Sequence, residues 1–124
     1  MHLRIVTQPQ RAAVCRLAPN AAIPAWVQGT FVSITRTGAE LSIVCDEDAV
    51  PHEIVADRGW RVLEVVGPFA FDVTGVAAAL SGALAASGIS LLLIATYDTD
   101  YVLVKEDLLA RAVDALRQSG HDVG

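Results

Sequence analysis

Two apolar runs flank a compact cluster of hydroxyls and carboxylates in the stretch Ile94-Ala95-Thr96-Tyr97-Asp98-Thr99-Asp100-Tyr101-Val102-Leu103-Val104-Lys105. Apolar runs on either side of polar, turn-forming residues predict a hairpin, with strands at residues 89–95 and 101–105. The turn of such a hairpin places polar atoms at a sheet edge, where a small ligand can reach them. The stretch therefore predicts both part of a sheet and a candidate binding edge.

Helical patterns lie on both sides of this hairpin. Asp72 is a favourable N-cap for a helix of about fifteen residues that ends at Gly88. The apolar stripe of this helix comprises Val73, Val76, Ala77, Leu80 and Leu84. After the hairpin, Glu106 and Asp107 place negative charge at the start of a second helix, which Gly120 closes. The apolar face of the second helix comprises Leu109, Ala112, Val113 and Leu116.

A strand at Trp60–Val66 precedes the first helix, and residues 121–123 leave room for only a fragment of a last strand. The order strand, helix, strand, strand, helix is a split βαβ layout with helices on one face of the sheet. The fold class is therefore α+β and ferredoxin-like.

The first half of the chain is predicted to be poor in helix. Strands are expected at Leu3–Thr7 and Ala13–Leu17, and a hairpin joins Phe31–Arg36 to Leu41–Cys45 over Thr37-Gly38. Pro19 and Pro24 bound a stretch that holds at most a short helix at residues 25–28. An acidic helix or loop follows at residues 46–54.

An internal repeat connects the two halves. An offset of 60 residues pairs Ile34 with Ile94, Glu40 with Asp100 and Val44 with Val104 without a gap. This self-similarity predicts that the chain consists of two related halves, at residues 1–59 and 60–124.

Composition limits the classes of function. Hydrophobic residues make up 53% of the chain and charged residues 19%, which excludes disorder and leaves apolar surface for self-association. The formal net charge of -5 has the wrong sign for binding nucleic acid or anionic lipid. The residues from Met1 to Val6 lack a signal-peptide pattern, so a cytoplasmic location is expected.

Residues 73–97 contain no charged side chain, a length that meets the criterion for a membrane span. Three glycines and four hydroxyl residues interrupt this run, and Gly88 separates a helix-like half from a strand-like half. A buried helix followed by a buried strand is the preferred explanation.

Several residues with chemical potential have structural explanations. Asp98 and Asp100 could in principle hold a divalent cation, as in a metal-dependent transferase, but partner ligands are not evident and Asp is common in turns. Solvent-exposed side chains are expected for the three histidines, which are His2, His52 and His121. Cys15 and Cys45 form no C-x-x-C motif and are interpreted as small buried hydrophobic residues, although a dyad assembled in space stays open.

Glycines and aromatic residues are likewise interpreted as structural. Gly75 and Gly82 match neither a P-loop nor a dinucleotide motif, so close packing of a helix on a sheet is the expected reason for both. Core or interface positions are predicted for Trp26, Trp60, Phe31, Phe69 and Phe71.

One constellation indicates a ligand. The turn at residues 71–76 begins a helix whose first N–H groups lack intrahelical partners and attract a carboxylate. If the Asp72 carboxylate does not cap the helix, it can receive an ammonium group, and Thr96, Tyr97 and Asp100 can supply further polar contacts. An ordinary N-cap beside an ordinary hairpin explains the same spacing equally well.

The chain resembles a known family in these same regions. Residues 60–68, the Gly75-containing helix, Gly88-Ile89-Ser90 and above all residues 95–104 are similar to the paired ACT-domain proteins, which include bacterial relatives of cytosolic arginine sensors and of aspartate kinase regulatory regions. Residues 33–44 agree as well. The resemblance covers most of the chain from Phe31 onward.

The resemblance implies two tandem ACT-like βαββαβ units, a homodimer that extends the sheets, and an amino acid held between units. It implies no catalysis and no cofactor, and a regulated enzyme as a possible partner. The ligand residues that it implies are Asp72, Val73, Thr74, Gly75, Val76, Thr96, Tyr97 and Asp100. Val73 stands where the arginine sensors carry a second acid, so arginine specificity does not carry over. The alternative is an interaction module that keeps the fold without a ligand.

Overall fold

The computed structural model of the chain describes residues 1–69 and 74–124. Seven strands and two α-helices occur there: β1 (Arg4–Leu17), β2 (Ser33–Arg36), β3 (Leu41–Asp46), β4 (Ala56–Val65), α1 (Val76–Ala86), β5 (Leu92–Ala95), β6 (Asp100–Lys105), α2 (Leu109–Gln118) and β7 (Asp122–Val123). Short 3-10 turns at Glu47–Ala49 and Glu106–Leu108 follow β3 and β6.

Two compact units make up the chain. Gln10–Trp60 form the small unit, and Met1–Pro9 with Arg61–Gly124 form the large unit. Residues of β1 and β4 therefore belong to both units. The predicted division into two ACT-like units at residues 1–59 and 60–124 stays a prediction.

The large unit has the predicted ferredoxin-like layout. From β4 onward its elements follow the order β4, α1, β5, β6, α2 and β7. Its strands lie in the order β7, β1, β4, β6, β5, with β7 parallel to β1 and β5 antiparallel to β6. Alternate strand residues such as Leu63, Val65 and Val102 share one core with both helices, so the helices cover one face of the sheet. The fold class and the terminal strand fragment are confirmed.

Helix α1 packs through a narrower stripe than the sequence predicted. Val76, Leu80 and Leu84 are buried, whereas Ala77 is exposed. A Cβ added at Gly82 meets no atom within 4 Å, so the predicted packing role of Gly82 is wrong. The spacing of four residues between the buried side chains turns Gly82 toward solvent. In the described residues no helix is long and apolar enough to span a membrane.

The start of α1 also differs from the prediction. Gly75 occupies the N-cap position, with a left-handed φ of 90°, and the helix begins at Val76. Glycine adopts this conformation without a steric penalty, so backbone conformation explains Gly75 better than packing does. The predicted N-cap Asp72 and the predicted stripe residue Val73 lie outside the described residues.

Helix α2 follows its sequence pattern closely. Ala112 and Leu116 are buried, and Leu109 and Val113 are partly buried against the same core. The N–H groups of Gly120 and His121 close the helix by donating to the carbonyls of Arg117 and Leu116 at 3.0 and 3.1 Å.

The small unit is built around β1. Its strands lie in the order β2, β3, β1, β4, and its core comprises Ala13, Cys15, Leu41, Ile43, Cys45 and Val50. The two strands predicted at residues 3–7 and 13–17 form one strand of 14 residues. The polar residues between them are exposed or half-buried positions of a continuous extended backbone.

Proline explains the scarcity of helix in the small unit. Residues 18–32 contain turns and no helix, including a turn in which the Val27 N–H donates to the Pro24 carbonyl at 3.3 Å. The 3-10 turn after β3 ends just before Pro51, whereas the corresponding turn after β6 continues directly into α2. Proline lacks the N–H that a continuing helix requires.

Both cysteines are free and buried in this core. Burial raises the pKa of Cys15 to about 11, with a smaller contribution from the neighbouring Cys45. Burial also raises the pKa of Cys45. Both thiols are therefore protonated at neutral pH, which agrees with the structural interpretation and makes them poor nucleophiles.

The two hairpins are built alike. Arg36 pairs with Leu41 in the first and Ala95 pairs with Asp100 in the second, so each has a four-residue loop. The N–H of Thr37 donates to Glu40 O at 2.9 Å, and the N–H of Thr96 donates to Thr99 O at 2.8 Å. The structural offset is 59 residues, so the predicted offset of 60, which paired Glu40 with Asp100, is wrong by one. Residues of similar type, such as Glu40 and Asp100, lie one position away from the residues that correspond in the backbone.

His121 is buried, which corrects the prediction that all three histidines are solvent-exposed. Its Nδ1 accepts a hydrogen bond from the Leu3 N–H at 3.1 Å and so joins the end of the chain to its beginning. Burial, with smaller contributions from the Met1 amino group and His2, lowers the pKa of His121 below its ordinary 6.5. The folded state therefore favours neutral imidazole.

This arrangement predicts an acid-sensitive stability. The unfolded state binds a proton at His121 more readily than the folded state, so the contribution is present above pH 6.5 and is lost as pH falls below it. Urea unfolding at a series of pH values should show this loss for the wild type. The dependence of the free energy of unfolding on pH should be weaker in His121→Asn. In this variant an amide oxygen can accept the hydrogen bond from the Leu3 N–H without titrating. His52→Asn is the matched control, because His52 is exposed in the small unit. An unchanged dependence of stability on pH in His121→Asn contradicts the assignment.

Candidate ligand site

The loop between β5 and β6 is closed by its own threonines. The Thr96 hydroxyl donates to Thr99 O at 3.0 Å, and the Thr99 N–H donates back to the Thr96 hydroxyl at 3.3 Å. These bonds add to the backbone bond between the same residues. The loop therefore has a defined conformation, in which Tyr97 at the tip is 80% exposed.

The loop is also attached to the segment that follows β4. The Thr99 hydroxyl donates to Val65 O at 2.6 Å, and the Phe69 N–H donates to Asp98 O at 2.8 Å. Between these two bonds lies Gly67, where an added Cβ would be 2.9 Å from Asp98 O. Only glycine permits this approach without displacement of the loop.

Thr99 and Gly67 were not among the predicted site residues. The signal that could have identified them is the Gly67-Pro68 dipeptide directly after a buried strand, which was interpreted only as the end of that strand. Neither residue need touch a ligand, since their role is to hold the loop in place.

The start of α1 supplies backbone donors. The first helical bond runs from the Ala79 N–H to Gly75 O at 2.8 Å, so the N–H groups of residues 76–78 precede the regular pattern. Among residues 1–69 and 74–124, no side chain caps this helix start. Thr74 and Gly75 are exposed, whereas Val76 is buried in the core and offers only its backbone. Donors of this kind favour an anion such as a carboxylate.

The structure thus groups the predicted residues in two sets. The hairpin brings Thr96, Tyr97 and Asp100 together, and the helix start brings Thr74, Gly75 and Val76 together; both sets belong to the large unit. Asp72 and Val73 lie outside the described residues, so their part in the site stays a prediction. Asp98 lies at the loop tip, where the sequence had predicted a turn residue.

Two carboxylates act on Tyr101 of the hairpin. The pKa of Tyr101 is raised above its ordinary 10, mainly by burial. The charges of Glu64 and Asp98 make smaller contributions. Glu64 accepts a hydrogen bond from Gln8 Nε2 at 2.7 Å. With the half-buried Asp100, these carboxylates make the surroundings of the hairpin more favourable to a cation than to an anion.

Asp98 and Asp100 do not form part of a larger ligand cluster. Within residues 1–69 and 74–124, no group of three or more His, Cys, Asp or Glu side chains could hold a metal ion. A surface pocket of about 360 Å³ is present in the small unit, lined by Gln28, Gly29, Thr30, Asp46, Asp48 and Ala49. None of these pocket residues had been selected as a site residue.

A family model described as an ACT domain matches residues 55–118, slightly more than half of the chain. The chain belongs to the ACT-domain family. A second family model, which describes an N-terminal domain, matches residues 11–53. Together the two matches cover most of both units, and the family resemblance that the sequence suggested is confirmed.

This ACT-domain chain is similar to characterised regulatory proteins. It is 35% identical over 108 residues to the bovine (Bos taurus) protein named cytosolic arginine sensor for mTORC1 subunit 1, covering 73% of this chain and 33% of that protein. The human protein of the same name is 32% identical over 101 residues. The chain thus spans about a third of the length of these curated relatives.

Solved structures share the fold. A crystal structure of an Agrobacterium tumefaciens protein has a TM-score of 0.94 and 38% identity, and the match covers 100% of this chain and 93% of that one. The regulatory subunit of aspartate kinase from Thermus thermophilus has a TM-score of 0.65 at 12% identity, over 93% of this chain and 96% of that one. At this low identity, the similarity to the aspartate kinase subunit shows a shared fold only.

The attachment of the loop gives a testable difference between two glycines. Gly67→Ala should lower the free energy of unfolding by about 1–3 kcal/mol, because the added methyl group displaces Asp98 and Thr99. Gly82→Ala is the matched control and should raise it by about 0.5–1 kcal/mol, because it removes a flexible residue from an exposed helix position. Urea unfolding measures both, and equal effects of the two substitutions contradict the proposed close approach.

Proposed function

We propose that the chain is a non-catalytic ACT-type regulatory or sensor module that binds a small amino acid. The observation that carries the proposal is the hairpin loop of residues 96–99, which is held against the segment after β4. The same unit contains a helix start that no side chain of the described residues caps. A preorganised loop of this kind loses little conformational entropy when a ligand binds. The names of relatives, an arginine sensor and a regulatory subunit of aspartate kinase, support this class of function.

The proposed contacts divide according to the charges of an amino acid. The backbone N–H groups at residues 76–78, with the Thr74 hydroxyl, receive the carboxylate. Asp72 receives the ammonium group, and Thr96, Tyr97 and Asp100 contact the side chain. Val73 and Gly75 complete the proposed set of ligand-binding residues. Because Val73 is apolar, a basic ligand side chain finds less negative charge here than in the arginine sensors.

The remaining proposals concern the setting of this module. We propose a cytoplasmic protein without catalytic activity or cofactor, which acts on a regulated enzyme and consists of tandem units at residues 1–59 and 60–124. The alternative function is an interaction module that keeps the fold and has lost its ligand.

Homodimer formation is also part of the proposal. β5 is the edge strand of the large unit, and its Leu93 is 40% exposed. Neither β5 nor the neighbouring α1 carries a charged side chain. An uncharged edge with an exposed leucine favours pairing with the same edge of a second copy, which would extend the sheet.

Amino-acid binding predicts a thermal shift. When each of the twenty amino acids is tested at millimolar concentration, at least one should raise the Tm, since a ligand at 100 times its Kd adds about 2.7 kcal/mol. Asp72→Ala should abolish the shift while circular dichroism shows an intact fold. Asp98→Ala is the matched control, because it removes one exposed carboxylate from the loop tip and should keep the shift.

The results separate the two functions. A shift with one or a few amino acids supports the sensor, and no shift with any of them favours the interaction module. A shift that survives Asp72→Ala removes Asp72 from the site.

The dimer proposal has its own test. Leu93→Lys places a charge on the exposed edge and should convert a dimer to a monomer in sedimentation velocity, with little change in the far-UV spectrum. Val55→Lys is the control, because Val55 is 71% exposed and precedes β4 in the small unit. A Leu93→Lys protein that stays dimeric excludes this edge.

A further inference from the structure

The fold brings the two cysteines of the chain together. Cys15 lies on β1 opposite Ile43, and Cys45 lies on β3 opposite Ala13. The cysteines are therefore diagonal neighbours on adjacent antiparallel strands, and their side chains share one face of the sheet. Both belong to the core of the small unit, where each is at most 1% exposed. Two sulfur atoms thus lie close together in an apolar environment.

A similar ion pair follows the hairpin in both units. Arg11 Nη1 of β1 lies 3.8 Å from Glu47 Oε2, and Arg61 Nη1 of β4 lies 3.3 Å from Glu106 Oε1. Each glutamate begins the 3-10 turn after its hairpin, and the hairpin offset of 59 residues relates the two glutamates. The arginines show that β1 corresponds to β4 with an offset of 50 residues.

The large unit has valine at the positions that correspond to the cysteines. The two offsets match Cys15 with Val65 and Cys45 with Val104, and both valines are completely buried. A free cysteine packs like a small hydrophobic residue, so valine meets the same packing requirement. Packing therefore does not explain why the two cysteines of the chain occupy both positions.

The spacing of the cysteines suits a bridging ion better than a disulfide. Diagonal neighbours on antiparallel strands have Cα atoms about 7–8 Å apart, whereas a disulfide requires about 4.4–6.8 Å. With metal–sulfur bonds of about 2.3 Å, an ion between two thiolates separates the sulfur atoms by about 4.6 Å. Each thiol also perturbs the pKa of the other through a side-chain hydrogen bond, which requires the sulfur atoms to be close.

The number of ligands limits the kind of ion. Across residues 1–69 and 74–124, no group of three or more His, Cys, Asp or Glu side chains could hold a metal ion. Structural zinc sites use four ligands, so two thiols do not make one. Thiolates select soft ions such as Cu(I), and a soft monovalent ion is stable with two thiolates as its whole ligand set.

We propose that Cys15 and Cys45 form a two-coordinate site for a soft monovalent metal ion of the Cu(I) class. On binding, each thiol releases its proton to solvent, and the two thiolates with Cu(I) carry a net charge of -1. The nearby Arg58 guanidinium favours this charge at Cys15, whereas Asp46 opposes it at Cys45. The site belongs to the small unit and does not depend on the amino-acid site proposed for the large unit.

The cover of this core provides the entry path. Ala21, Trp26 and Val27 pack against the core that contains the cysteines, and they belong to residues 18–32, which contain turns and no helix. Irregular segments open locally at a lower free energy than core strands and helices. An ion therefore reaches the thiols when this segment opens.

The test uses the reduced full chain and Cu(I) without oxygen, in competition with the chromophoric chelator bicinchoninate. The wild type should remove one Cu(I) per chain from the chelator. Cys15→Val and Cys45→Val are the matched variants, because valine occupies both corresponding positions of the large unit. Each should bind Cu(I) at least about 100-fold more weakly, which is the upper end of the effect of losing a group that only supports a ligand. His52→Asn, at an exposed position of the same unit, should bind like the wild type.

Unchanged Cu(I) affinity in either valine variant overturns the proposal, and circular dichroism checks that both variants fold. A second measurement needs no variant: X-ray absorption of the Cu(I)-loaded wild type should show two sulfur neighbours and no nitrogen or oxygen ligand. A different ligand set overturns the proposal, and so does Zn(II) binding as tight as that of Cu(I). Treatment of the native protein with the azo oxidant diamide should leave both thiols free, and rapid closure of an intramolecular disulfide contradicts the spacing on which the site rests.

Discussion

The tip of the β5–β6 hairpin is bound to the chain segment that leaves β4, and the candidate site depends on this attachment. One hydroxyl, one amide and one glycine make it: Thr99 donates to Val65 O, Phe69 donates to Asp98 O, and Gly67 leaves room between them. Both acceptors are backbone carbonyls, one in the last residue of β4 and one in the loop, so the two bonds hold the loop against the segment after β4. Its outward groups are therefore presented in one arrangement, which lowers the entropic cost of binding.

The same hairpin occurs twice, and the surroundings decide its role. In the large unit, two helices cover one sheet face, and no side chain in the described part of the chain caps the start of α1. In the small unit, prolines interrupt the segments where helices could form, and arginine side chains contact the loop and the segment after β1. The same hairpin thus has different neighbours in the two units, and an arginine side chain contacts its loop in the small unit. The difference follows from residues outside the hairpin itself.

The sequence pattern predicted those elements whose formation depends on neighbouring residues. Alternating apolar residues and a polar turn predicted both hairpins, because strand pairing and turn formation are decided by neighbouring residues. The apolar face of α2 was predicted for the same reason. Val76, Leu80 and Leu84 of α1 were also predicted, but Ala77 was not distinguishable from them, since alanine is compatible with either side of a helix. The burial of His121 depends on an acceptor role toward Leu3, a residue 118 positions away.

The amino-acid sequence alone determined the fold class, the family, both hairpins and the scarcity of helix in the first half, because these follow from periodicity, proline and turn chemistry along short stretches. Tertiary structure decided which residues hold the hairpin loop in place. Thr99 and Gly67 matter through atoms of Val65 and Asp98, and Arg36 matters through carbonyls of Pro19 and Ala21. Such contacts join positions that are distant in the sequence and share no local pattern. Only the folded chain therefore shows that the stretch from Ile94 to Lys105 is attached through its loop to the segment after β4.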